Sequence, residues 1–235
     1  VHELSTEISH HEDVEVVLAP SFIALQTISL QVKRHQFRLA AQNCYWRDDG
    51  AFTGEVSATQ LRGLVSYVIV GHSERRHKFG ETNKEIRSKV QSVLRNGMIP
   101  ILCVGETADE RANDETKHVL HDQVSSGLAN VASDEIDKVV IAYEPVWAIG
   151  TGKSPLTKDL EDIEKTIRRQ IESLYGHKAA TSLKLLYGGS VNSDNASDYL
   201  ALRGINGFLV GGASLHVQQF SSIISKAHQL KGKKS

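Results

Sequence analysis

The 235 residues carry 27 Lys and Arg against 28 Asp and Glu, a formal net charge of −1, with 40% hydrophobic and 23% charged residues. That length suits one α/β barrel domain over residues 1–235, and the charge balance argues against nucleic acid or an anionic membrane as main partner. Two cysteines, Cys44 and Cys103, without a CxxC pair, point to a reducing compartment and a cytoplasmic protein, and no run reaches the ~18 apolar residues of a membrane span.

Residues 1–13 read as part of a first helix, polar around Leu4-Ser5-Thr6-Glu7-Ile8. Strand-like apolar runs then recur at 14–19, 37–41, 67–71, 98–104, 138–143, 183–187 and 207–210. Near-continuous runs of this kind suit parallel strands buried on both faces. Helix patterns alternate with them. Thr82 and Glu85 open one that carries Ile86, Val90, Val93 and Leu94 and stops at Gly97. Another runs from Thr157 to Tyr175 with Leu160, Ile163, Ile167, Ile171 and Leu174 inward, closed by Gly176. Residues 228–235, ending in Lys231-Gly232-Lys233-Lys234, are expected to form a flexible basic tail. Alternation throughout predicts parallel βα units. A (β/α)₈ barrel needs eight strands and the count is seven, so the barrel is expected to lack its first strand and to begin inside its first helix.

Chemistry in such barrels collects where strands end. The run at 67–71 ends Gly71-His72-Ser73-Glu74-Arg75-Arg76, which places His72 to point into the barrel mouth. A satisfied structural histidine is the competing reading. His118 and His121, three apart on a helix, are a possible metal pair without a third ligand, and no metal is expected. The run at 138–143 leads to Glu144, and a buried strand-end carboxylate is costly without a task or a partner. Enclosure by Tyr143, Val146, Trp147 and Ile149 suits a general base, while a salt-bridged Glu is the plain alternative. Pro145, Val146, Trp147, Ala148, Ile149, Gly150, Thr151, Gly152 and Lys153 combine stiff hinges with an apolar middle, the make-up of a lid. Gly188-Gly189-Ser190 and Gly211-Gly212 follow the last two runs. Paired glycines let backbone N–H groups approach an anion, and barrels often bind phosphate at these loops.

Six segments together resemble the triosephosphate isomerase family: residues 41–43, 50–55, 71–76, 143–152, 187–192 and 207–215, in matching order from about Val14 onward. The family is itself a standard case of acid–base tuning, so the roles that follow are what the resemblance implies. It implies interconversion of dihydroxyacetone phosphate and glyceraldehyde 3-phosphate, a step of glycolysis and gluconeogenesis, without a cofactor. Glu144 is then the base, and His72 a neutral group that polarises the carbonyl. Ser73 and Glu74 support them, the Glu74 carboxylate also engaging polar groups of the site. Gly150, Ser190, Gly211 and Gly212 hold the substrate phosphate. The loop at 43–55, with Tyr45, Trp46 and Phe52, implies a homodimer.

One departure accompanies the resemblance. The family's opening strand ends in an Asn-Trp-Lys motif whose lysine stands beside the substrate, and this sequence has none. Activity below the family norm and weaker or altered dimerisation are therefore expected, since a lost oxyanion donor alone costs ~3–4 kcal/mol. A barrel that only binds phosphorylated ligands or protein partners is the alternative.

Overall fold

The computed structural model describes residues 1–231. Each of the seven strand runs forms a strand: β1 (Val16–Leu18), β2 (Phe37–Ala41), β3 (Tyr67–Val70), β4 (Ile99–Val104), β5 (Val140–Tyr143), β6 (Lys184–Tyr187) and β7 (Gly207–Phe208). They pair in sequence order into one curled, all-parallel sheet. Among the described residues β1 and β7 are each paired on one side only.

Eleven helices accompany the strands among the described residues. The first four are α1 (His2–Glu7), α2 (Phe22–Gln31), α3 (Ala58–Leu61) and α4 (Ser73–Lys78). Next come α5 (Asn83–Arg95), α6 (Ala108–Ala112), α7 (Thr116–Leu128) and α8 (Thr157–Tyr175). The chain closes with α9 (His177–Ser182), α10 (Ala196–Ala201) and α11 (Val217–Lys231). Capping boxes start three of them, from Ser57, Thr82 and Thr107, each side chain accepting the N–H three residues on. Gly176 ends α8 at φ 86°, where a side chain would be strained.

Two apolar clusters explain why the strands are hydrophobic on both faces. Ala40, Tyr67, Ile69, Ile101, Cys103, Val140 and Ala142 pack together inside the curl. Their sequence neighbours Val68, Val70, Leu102, Ile141 and Tyr143 face outward, onto helix residues such as Ile86, Val90 and Ile167. This period-two division is the architecture of an α/β barrel.

Three sequence expectations change. Leu174 is 46% exposed, because α8 turns it away from the core that holds Leu160, Ile163, Ile167 and Ile171. Within the expected tail, residues 228–231 are helical, since α11 continues to Lys231. The rest of that expectation, 232–235, lies outside the described residues. Of the expected helical start at 1–13, only His2–Glu7 is helical, and this α1 is tied to α11 by Gln218 to Glu3 (3.2 Å) and Ser221 to Glu7 (2.9 Å). Among the described residues no helix is long and apolar enough to cross a membrane.

Candidate active site

Strand alternation aims the central carboxylate. Val140 and Ala142 of β5 face the interior, and the same two-residue period carries Glu144 inward, 2% exposed. Its Oε1 lies 2.9 Å from His72 Nε2, and its Oε2 accepts the Ser73 N–H at 2.9 Å. His72 caps α4, its Nδ1 accepting the Glu74 N–H at 3.3 Å. An accepting Nδ1 leaves the ring proton on Nε2, facing Glu144. A neutral histidine is therefore compatible with every contact it makes.

Opposing effects set the His72 pKa. Burial disfavours its charge, but the hydrogen bond to Glu144 and the carboxylates of Glu144 and Glu74 outweigh burial and raise the pKa above the usual 6.5. This coupling stabilises the fold fully below the unfolded value and fades as pH rises through the raised one. Removing the Glu144 charge should move the His72 titration down. In ¹⁵N NMR of the Glu144→Gln variant, an unmoved His72 midpoint would show that the pair is not coupled.

Ser73 is buried and supplies its backbone N–H. Glu74 likewise contributes its N–H, but its side chain corrects the expectation of polar contacts in the site. It leans outward along α4 to pair with Lys78 at 3.0 Å, 55% exposed, and this partner lowers its pKa. Trp147 also departs from expectation: it encloses Glu106 rather than Glu144.

Glu106, just past β4, is fully buried. It receives the Trp147 Nε1–H at 2.8 Å and the Tyr143 hydroxyl at 3.1 Å, and its carbonyl accepts the Val146 N–H at 3.0 Å. Arg111 stands 3.6 Å from its carboxylate and 4.5 Å above the Trp147 ring. The first half of the 145–153 loop is thus anchored in a short 3₁₀ turn, Val146–Ala148. Its second half is exposed from Gly150 to Lys153, with positive φ at Gly150 (68°) and Gly152 (74°).

Close backbone approach holds Glu144 in place. A Cβ on Gly105 would stand 1.7 Å from the Glu144 carbonyl oxygen. Gln123 of α7 grips Gly105 from both sides, accepting its N–H at 2.8 Å and donating to its carbonyl at 3.2 Å. Gly105→Ala should therefore cost about 1–3 kcal/mol by overpacking and lower turnover through a displaced Glu144. An unchanged melting temperature would contradict this packing.

Phosphate candidates lie at neighbouring strand ends, since β5, β6 and β7 are adjacent. Ser190 is half-buried, and Asn195 donates both to its carbonyl (3.0 Å) and to Ser154 Oγ (3.4 Å), linking the loop after β6 to the end of the lid. Gly211 and Gly212 are exposed, with open space beside each Cα, and Gly212 begins a 3₁₀ turn.

Sequence reasoning assigns no role to Glu106, Gln123 or Arg76. The signal that marks Glu144, a carboxylate just past a buried strand, marks Glu106 equally. Arg76 donates to Gly71 O (2.7 Å), Cys103 O (3.0 Å) and Asn83 Oδ1 (2.6 Å), bracing the ends of β3 and β4. Burial pushes the Cys44 thiol up to about 12 and raises that of Cys103, so neither is a reactive thiolate. Lys89 is buried, but it pairs with Glu81 and with Asn43 Oδ1 (2.8 Å), away from His72. Among the described residues no lysine forms an ion pair with Glu144.

Comparison with known proteins agrees with this geometry. The family model described as triosephosphate isomerase matches residues 1–227. The triosephosphate isomerase of Chlorobaculum tepidum is 47% identical over 214 residues, 91% of this chain and 86% of that protein. That of Clostridium tetani is 43% identical, covering 96% of this chain and 88% of its own. That of Trichlorobacter lovleyi is 42% identical, covering 95% and 90%.

Proposed function

This chain belongs to the triosephosphate isomerase family, and on that premise we propose that Glu144 is the base that moves a proton between adjacent carbons of the substrate. The chain is an isomerase of glycolysis with an α/β barrel fold, and it interconverts dihydroxyacetone phosphate and glyceraldehyde 3-phosphate. The division of labour among its residues is our reading.

One observation carries it: a carboxylate 2% exposed at a strand end, touched by a histidine ring nitrogen and a backbone N–H, both at 2.9 Å. Both oxygens of Glu144 are engaged in this resting arrangement, so binding substrate requires it to release a partner. Once the carboxylate turns to the substrate, the contribution that raises the His72 pKa is withdrawn. His72 then stands neutral, with Nε2–H free to hydrogen-bond the substrate carbonyl oxygen and to pass protons between the two oxygens. Ser73 supports the resting carboxylate. Gly150, Ser190, Gly211 and Gly212 bind the phosphate through N–H groups and a hydroxyl. The loop at 145–153 closes over the substrate and keeps water from the enediolate. No cofactor takes part in this scheme.

The test is proton exchange. With dihydroxyacetone phosphate in deuterated water, the protein should place deuterium on the carbon next to the carbonyl of both recovered substrate and product. Binding of a phosphorylated substrate analogue with turnover and exchange at background would instead indicate a barrel that only binds.

We also infer a homodimer formed through the loop at 43–55. Its support is an aromatic stack in a loop exposed from Arg47 to Glu55: the Tyr45 ring lies 4.1 Å from that of Trp46 and 4.6 Å from that of Phe52, which is 39% exposed. Sedimentation should give twice the mass of the chain, and Phe52→Asp should shift it toward monomer.

A further inference from the structure

Gln123 stands on the buried face of α7, among Leu120, Val124 and Gly127, and is 9% exposed. An amide in such a place is costly without partners. The helix lies close against β4 there, since a Cβ on Gly127 would stand 2.8 Å from the Leu102 side chain. One helical turn away, both polar atoms of the Gln123 amide serve a single residue. Oε1 accepts the Gly105 N–H at 2.8 Å, and Nε2 donates to the Gly105 carbonyl at 3.2 Å.

The sheet explains why Gly105 needs this partner. Successive residues of a parallel strand direct their backbone groups to alternate neighbours. On the β5 side, Val104 O accepts the Glu144 N–H at 2.7 Å and Glu106 O accepts the Val146 N–H at 3.0 Å. The ladder therefore runs on past β4 as far as the lid. Gly105, between them, faces the β3 side, but β3 ends at Val70, whose register partner is Leu102. Two residues before Gly105, the Cys103 carbonyl is satisfied by Arg76 at 3.0 Å. The Gln123 amide supplies the next rung, the one a longer β3 would have made. We propose that Gln123 is a positioning residue for isomerisation: by pairing with Gly105 it fixes residues 104–106, on which both Glu144 and the anchored half of the lid depend. This rests on the reading of Glu144 as the base. No contact with substrate is required, because a misplacement of about 1 Å in a reacting group can cost about 10²-fold.

Steady-state kinetics of Gln123→Leu, together with ¹⁵N NMR of His72, tests the proposal. Leu nearly keeps the volume and removes both hydrogen bonds. kcat should fall about 10–100-fold with KM within about twofold of the parent, since the phosphate candidates lie on the loops after β6 and β7. The His72 midpoint should move down, because a displaced Glu144 no longer raises it fully. Lost stability alone would lower the melting temperature and leave that midpoint in place. Gln123→Glu keeps an acceptor for the Gly105 N–H, so it should show the same pattern in smaller measure, and it carries the test should Gln123→Leu fail to fold. Parent-like kcat in every variant that folds, a rise in KM at unchanged kcat, or an unmoved His72 midpoint would overturn the proposal. Glu144→Gln, assayed alongside, keeps the two readings apart. Near-parent turnover there would refute the base, whereas a silent Gln123→Leu beside an inactive Glu144→Gln would refute only the positioning role.

Discussion

Glu144→Gln should lower kcat for triose phosphate isomerisation by about 10²–10⁴, the range a positioned general base contributes. The amide keeps the shape of the carboxylate and can still accept the Ser73 N–H that Oε2 accepts at 2.9 Å. It removes the capacity to take a proton, and its NH2 group cannot accept the His72 Nε2–H that Glu144 Oε1 faces at 2.9 Å. Stability should fall by about 1–3 kcal/mol, because the amide leaves the His72 Nε2–H without its acceptor. KM should move far less than kcat, since the phosphate candidates at Ser190 and Gly211 are untouched. His72→Gln should also depress kcat, and the double variant should be little worse than the more damaging single one, because the two side chains act as one unit. Turnover within about tenfold of the parent in Glu144→Gln would place the base elsewhere.

Arg76→Leu should be the most destabilising single change near the site, by about 3–5 kcal/mol. The guanidinium satisfies the carbonyls of Gly71 and Cys103, both buried residues, and Leu would leave them unpaired. For a chain of this length each kcal/mol is worth about 2–4 °C, so the melting temperature should fall by about 10 °C. Because Gly71 immediately precedes His72, activity should fall more steeply with temperature than in the parent. Arg76→Lys should recover part of the loss, since an ammonium can reach one carbonyl but not span both. Wild-type melting behaviour in Arg76→Leu would mean that water replaces the guanidinium without cost.

Much of this was legible along the chain because barrel strands are local signals. Each is a short apolar run, and all seven appear as strands where periodicity places them. Glu144 and His72 could be read because each follows such a run directly. Partnership could not be. Enclosure of Glu144 by Trp147 is a natural reading of residues three apart, yet Trp147 bonds Glu106, 41 positions earlier, because β4 and β5 are adjacent in the sheet. The side chain of Glu74 is equally opaque, since the first turn of α4 decides whether it faces the site or water.

Local composition by itself determined the strand positions, their parallel pairing and the strand-end residues that bear the chemistry. Family resemblance added the reaction. Tertiary structure alone decided which face of each strand looks inward at its neighbours. It brought Glu144 Oε1 to 2.9 Å from His72 Nε2 across 72 positions of chain numbering, and it gave Glu106 and Arg76 their partners. The physical reason is range. Periodicity and turn chemistry act over a few residues, whereas hydrogen bonds between strand ends depend on the curl and register of the whole sheet.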